Sequence, residues 1–206
     1  MNYLFNGICY ACLFDLEWLI LNEADLEQSS QKLDFAHVFE NFYALYFFRK
    51  EMKIQKLIHQ IKYNGNEALG VEFGRRLGLQ IKEKNWNLDA IIPIPMHKKK
   101  EKKRGYNQAN LIAQGCAEVL QIPVLNNLLF KVRNVKTQTK LNKLLRKINV
   151  ENVFQISSNT TGYSYGHVLL VDDVLTTGAT LTTCALKLKT ELGIKKISAA
   201  TLAIAN

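Results

Sequence analysis

No stretch of this 206-residue sequence is apolar for long enough to cross a bilayer. The most apolar N-terminal run, Tyr3 to Leu21, is interrupted by Asp15 and Glu17 and has no basic leader, so it makes a poor secretory signal. Membrane insertion and export are therefore not expected, and a cytoplasmic protein is. Internal repeats and low-complexity tracts are absent as well, which argues against a solenoid or a compositionally disordered chain. Cysteine is scarce. The four present are expected as reduced thiols rather than as a disulfide framework. Cys9 and Cys12 have the C-x₂-C spacing that lets two thiolates reach one metal, but tetrahedral zinc needs four ligands and the sequence supplies no obvious second pair. Cys116 and Cys184 fall on apolar faces of predicted helices, where a thiol acts as a small hydrophobe.

What is present is an ordinary hydrophobic fraction, 48%, enough for one well-buried domain, and a formal charge of +9 that is unevenly spread. Six of the seven residues from Lys98 to Arg104 are basic, and Lys131 to Lys147 adds seven more with no acid among them. A single charge run usually reads as a solvated surface. Two runs flanking one candidate anion site raise a second possibility, contact with pyrophosphate or a nucleic-acid backbone.

The coarse order of elements is alternating. Residues 1–40 form an irregular N-terminal segment, and the main domain runs over 41–206. Phe42 to Phe48 reads as an aromatic strand and turn. Ile54, Leu57, Ile58 and Ile61 mark a helix that stops near Asn64-Gly65, and a second helix spans about Glu67 to Lys84. Leu88 to Ile94 is a strand bounded by Pro93 and Pro95; after a long basic loop, a helix follows over Asn107 to Leu120. Weaker strands are predicted at Ile122–Leu125, Leu128–Val132 and Val153–Ile156, and a final one at Lys196–Ile204. Such alternation implies a mostly parallel central sheet with helices on both faces, an α/β fold.

The most informative run is HVLLVDDVLTTGAT, His167 to Thr180. Val168 to Val171 reads as a parallel strand covered on both faces, with Asp172 and Asp173 at its carboxyl end. In open α/β sheets that edge is where ligands bind. Thr176, Thr177, Gly178, Ala179 and Thr180 then offer small hydroxyls and free backbone N–H groups at the start of a helix, whose face is Leu181, Ala185, Leu188 and Leu192 and whose stop is Gly193. An anion belongs at that helix start. The two carboxylates repel phosphate, so their partners are sugar hydroxyls or a cation. A receiver domain also places an acidic pair after a strand, but only twenty-six residues follow Thr180, too few for the rest of one. The segment resembles the signature by which type I phosphoribosyltransferases bind 5-phosphoribosyl-1-pyrophosphate (PRPP).

A second constellation lies between Pro95 and Gln108, where Arg104 offers a bidentate fork and Gly105 would let the main chain approach a ligand closely. His97 reads as a packing or hydrogen-bonding residue rather than a ligand. Taken with KYNGN at 62–66 and KTQTKLNKLLRKINVENVF at 136–154, IPIPMHKKKEKKRGYNQAN and VLLVDDVLTTGAT resemble the ComF family of competence proteins over about residues 42–206. The resemblance implies a type I phosphoribosyltransferase-like fold with Mg²⁺-bound PRPP as ligand. By position it implies that Asp172 and Asp173 bind the ribose hydroxyls and that Thr176 to Thr180 hold the 5-phosphate. Lys98, Lys99, Arg104 and Gly105 would belong to the pyrophosphate loop, Lys62 and Tyr63 would approach the site, and Thr137 and Gln138 would sit in a cover. The family's small zinc module has two C-x₂-C pairs, of which only the second has a counterpart here. Residues 1–40 are thus expected to be a remnant of that module, through loss of the metal site or a missing beginning, and no zinc is assigned.

Two functional classes follow from the resemblance. One is pentosyl transfer, with Asp172, Asp173 and Arg104 as the residues nearest the chemistry, in a protein serving DNA uptake. The other is a catalytically inactive module that uses the pocket for nucleotide phosphates of single-stranded DNA, with Tyr63 or Tyr106 stacking on bases. Single-stranded DNA and a competence helicase are the partners it implies.

Overall fold

A computed structural model describes residues 4–5, 8–9, 38–48, 53–132, 153–158 and 165–205. Two short strands, β1 (Leu4–Phe5) and β2 (Ile8–Cys9), pair antiparallel near the N-terminus. The main body begins with β3 (Phe42–Phe48), α1 (Lys53–Tyr63) and α2 (Glu67–Glu83). It continues through β4 (Ala90–Pro93), α3 (Lys98–Arg104) and α4 (Gln108–Leu120). Then come β5 (Leu129–Lys131), β6 (Phe154–Ile156), β7 (His167–Leu175), α5 (Ala179–Leu192) and β8 (Lys196–Ala205). Among the described residues no helix is long and apolar enough to cross a membrane.

The central sheet has the order β3-β8-β7-β4, every pair parallel, and β5 and β6 form a separate antiparallel ribbon. Central strands covered on both faces have no use for polar alternation, and Val168 to Val171 are all fully buried. Connection handedness then distributes the helices. From β3 to β4, and from β4 to the bridge that Val124 makes with Ile91, the chain steps one way across the sheet; from β7 to β8 it steps the other way. Right-handed crossovers therefore put α1, α2 and α4 on one face and α5 on the opposite face, beside the β5–β6 ribbon.

Three local expectations change. The strand that carries the acids does not stop at Val171: β8 is ten residues long, and Val174 and Leu175 pair with its Ala203 and Ile204, which carries the ladder past Asp172 and Asp173. The Lys98–Arg104 stretch is a helix rather than a loop. Lysine is a good helix former, His97 Nδ1 accepts the Lys99 N–H at 3.2 Å, and Gly105 closes the turn at φ 93°. Ile122–Leu125 reduces to a single bridge at Val124, framed by Ile91 N–H donating to Pro123 O and Leu125 N–H donating to Ile91 O.

Candidate functional site

The direction of winding reverses between β4 and β7, and a crevice opens where the chains leaving their carboxyl ends diverge. After β4 the chain runs into α3 and the loop before α4. After β7 it turns through Thr176 and Thr177 into α5.

The turn after β7 is built as an anion cradle. Gly178 takes φ 74° at the N-cap of α5 and has no side chain to cap the helix, whereas α2 and α4 are capped by the carboxamides of Asn66 and Asn107. The first N–H groups of α5 therefore have no side-chain acceptor, and the helix dipole adds to their pull on an anion. Thr176, Thr177 and Ala179 are exposed and Thr180 half-buried around a hollow of about 40 Å³ that Asp172 also lines. That size suits a few ligand atoms, such as one phosphoryl group.

The adjacent acids stay within reach of each other: their carboxyl groups interact directly, and the Lys62 charge acts on both. Asp172 stands on the α5 side, within electrostatic reach of Lys131 on β5 and the Cys184 thiol on α5. Its Oδ1 accepts the Asp173 N–H at 2.8 Å. Desolvation, and then the charge of Asp173, push its carboxyl up to about 8. Asp173 is only 6% exposed and turns to the α1 side, where Lys62 Nζ lies 2.6 Å from its Oδ2 while its Oδ1 accepts the Val174 N–H at 2.8 Å.

Beside that ion pair lies a cationic cleft of about 380 Å³. Lys62, Lys100, Lys103 and Arg104 contribute its charge, Tyr63 and Tyr106 its aromatic walls, and no acid among the described residues lines it. Residues 100, 103 and 104 share one face of α3 by helical spacing. The Arg104 guanidinium sits 5.1 Å from the centre of the Tyr63 ring and also donates to Gln108 Oε1. Lys98 and Lys99 point elsewhere, into a larger cavity of about 570 Å³ shared with the β5–β6 ribbon, and Lys98 lies over the Phe130 ring. Burial lowers the Lys131 ammonium on that cavity's wall below the usual lysine range, and Lys100 pushes the same way.

Of the residues singled out in the sequence, the structure thus gathers Asp172 with Thr176 to Thr180, and Lys62 with Arg104, while Lys98 and Lys99 fall outside both groups. Gly105 has a positive φ and open space where a Cβ would be. Tyr106 is half-buried on the wall of the cleft, and its hydroxyl donates to Ile61 O at 2.6 Å; Tyr63 is 65% exposed. Cys116 and Cys184 are buried as expected, and Cys116 Sγ donates to Gly74 O at 3.1 Å. Thr137, Gln138 and Cys12 lie outside the described residues, and Cys9 is described only as part of β2. Sequence reasoning passed over Asn107, whose Nδ2 donates to Ile94 O at 3.0 Å and ties the start of α4 to the end of β4. The signal was there, an asparagine directly before a helical apolar face.

A family model described as "Phosphoribosyl transferase domain" matches residues 74–206. The chain belongs to this family. Among curated proteins, Competence protein F of Haemophilus influenzae is 40% identical over 109 residues, covering 53% of this chain and 47% of that one. DNA utilization protein YhgH of Escherichia coli K12 is 29% identical over 133 residues (62% and 57%), and Competence protein ComFC of Bacillus subtilis 37% over 91 (44% and 34%). These likenesses make it a ComF-type phosphoribosyltransferase-fold protein. It spans about half the length of the first two of these relatives, and less of the third. The matched segment starts inside α2, so β3 and α1 of this phosphoribosyltransferase domain lie outside it.

Proposed function

We propose that the chain binds PRPP, with Mg²⁺ carried on the diphosphate, and acts as a phosphoribosyltransferase in the cytoplasmic handling of incoming DNA. The observation that carries this reading is the acid-edged hollow at the uncapped start of α5, next to a strand whose second acid reaches a cationic cleft through Lys62. A 5-phosphate takes the hollow, the ribose hydroxyls take Asp172, and the diphosphate takes the cleft. The printed names of the relatives, competence and DNA utilization proteins, support the biological setting.

The reaction that suits these parts breaks the bond between the anomeric carbon and the diphosphate oxygen, which leaves with the bonding pair, while an acceptor lone pair forms the new bond to carbon. Asp172 orients the sugar through its hydroxyls, and developing negative charge on the leaving group is met by Lys100, Lys103 and Arg104. Orientation and electrostatics suffice; no protein nucleophile is required. Among the described residues no three His, Cys, Asp or Glu side chains converge into an ion cage, a donor set that suits a Mg²⁺ held by phosphate oxygens and water. Such an ion would offset charge on the departing diphosphate.

Titration calorimetry with PRPP and Mg²⁺ tests the reading. Wild type is expected to bind and Asp172→Ala to bind about tenfold or more weakly, as for a polar group left without its hydrogen-bond partner. Absence of binding by wild type would reject it. A second reading, single-stranded DNA binding, is favoured by one feature: the 65% exposed Tyr63 ring beside Lys100, Lys103 and Arg104 is a stacking face within a cationic surface.

A further inference from the structure

Three consecutive residues in the last turn of α1, outside the segment that matches the family, each hold a different part of the site. The Ile61 carbonyl accepts from Tyr106, Lys62 meets Asp173 at 2.6 Å, and the Tyr63 ring packs against Arg104. Lys62 is common to both halves: it lines the cationic cleft, and it covers the carboxylate of Asp173. Asp173 Oδ2 accepts no aligned hydrogen bond, so the lysine holds it by charge, an attraction that reaches the neighbouring Asp172 as well.

That arrangement has a physical consequence. An ammonium on a flexible four-carbon stem is easily redirected, and a diphosphate in the cleft offers it more negative charge than one carboxylate does. When Lys62 turns to the diphosphate, Asp173 is left as a buried carboxylate without its counter-charge, a costly state unless a donor replaces it. A sugar hydroxyl arriving over β7 is such a donor. We propose that Lys62 is a positioning residue that couples the two halves of the site, covering Asp173 until a diphosphate claims its ammonium and then exposing that carboxylate to the sugar. This rests on the phosphoribosyl reading above and deepens it. Its signature is that two anionic half-ligands bind cooperatively, opposite to the mutual repulsion that charge alone dictates.

The test uses ribose 5-phosphate and magnesium pyrophosphate as the half-ligands, with the affinity of the first measured calorimetrically in the absence and presence of saturating amounts of the second. In wild type, pyrophosphate is expected to tighten ribose 5-phosphate about tenfold, within the usual range of coupling between sites. Lys62→Arg keeps the charge and the effect. Lys62→Met and Asp173→Asn each bring the factor to one, and the double variant goes no further than either alone. A factor at or below one in wild type, or an undiminished factor in Lys62→Met, overturns the coupling and leaves a merely structural ion pair. Failure of wild type to bind ribose 5-phosphate at all overturns the phosphoribosyl reading and the coupling together; binding without cooperativity overturns the coupling alone.

Discussion

Gly74 of α2 and Gly115 of α4 face each other with no side chain between them: a Cβ built on Gly74 would stand 3.0 Å from Gly115 Cα and 2.2 Å from the Ile112 carbonyl oxygen. On Gly115 it would stand 2.0 Å from the Val71 carbonyl oxygen. The two helices therefore touch backbone to backbone. Because the obstacles are main-chain atoms, neither can move aside cheaply. Gly74→Ala and Gly115→Ala are each expected to destabilise the fold by about 1–3 kcal/mol or more, the usual range for overpacking. Urea unfolding midpoints check this, and unchanged midpoints would refute the close contact.

Asp172 makes stability depend on pH in an unusual direction. Its carboxyl titrates near 3.8 when free of the fold and is pushed up to about 8 within it, by desolvation and by Asp173. Between those values the folded state binds more protons than the unfolded one, so stability falls as pH rises. The contribution of neutral Asp172 is full below about pH 4 and is lost as pH climbs to about 8. Asp172→Asn cannot ionise, so the difference in urea midpoint between wild type and variant should move against wild type across that window. Carboxylates that do not face Asp172 are common to both proteins and cancel, and the Asp173 charge, which acts on Asp172, is removed from the comparison by repeating it in an Asp173→Asn background. A difference flat with pH would remove the raised carboxyl from the account.

Tyr106→Phe removes the donor that meets Ile61 O at 2.6 Å and keeps the ring. The expected cost is about 1 kcal/mol of net hydrogen-bond contribution. Faster amide hydrogen exchange confined to the last turn of α1 is its local mark. Exchange there equal to wild type would show that Tyr106 does not anchor that turn.

Oligonucleotide binding distinguishes the second functional reading. If single strands use the Tyr63 face, Tyr63→Ala should weaken binding of an oligo-dT probe about tenfold by anisotropy, in line with loss of one stacked base. Affinity should also fall linearly with salt on a log–log plot. A flat salt response would remove the cationic cleft from DNA binding.

Much of the architecture was legible because burial leaves a periodic trace. The faces of α1 and α4 and the apolar β7 and β8 are written in hydrophobic spacing, and Asn64-Gly65 and Gly193 punctuate helix ends through turn chemistry. The length of β7 was not, since a carboxylate in a strand looks like an end until the partner strand is known. Nor was helix α3, where a run of like charge reads as a loop although each lysine is individually helix-compatible. The glycines 70, 74 and 78 of α2 carried a signal at helical spacing, but what they admit, the Leu111 side chain at Gly70 and the backbone of α4 at Gly74 and Gly78, no local pattern names.

By itself the sequence determined which residue types are available for chemistry: an acidic pair, a hydroxyl and glycine turn before a helix, and a run of cations. Those are local properties, set by spacing along one chain. Only the tertiary structure decided the grouping. The crossover of α1 brings Lys62 to the acidic pair of β7, and the turn of α3 divides its lysines between two cavities. Charge acts through distance in space, and residues 111 positions apart in sequence come to 2.6 Å only when the sheet is wound.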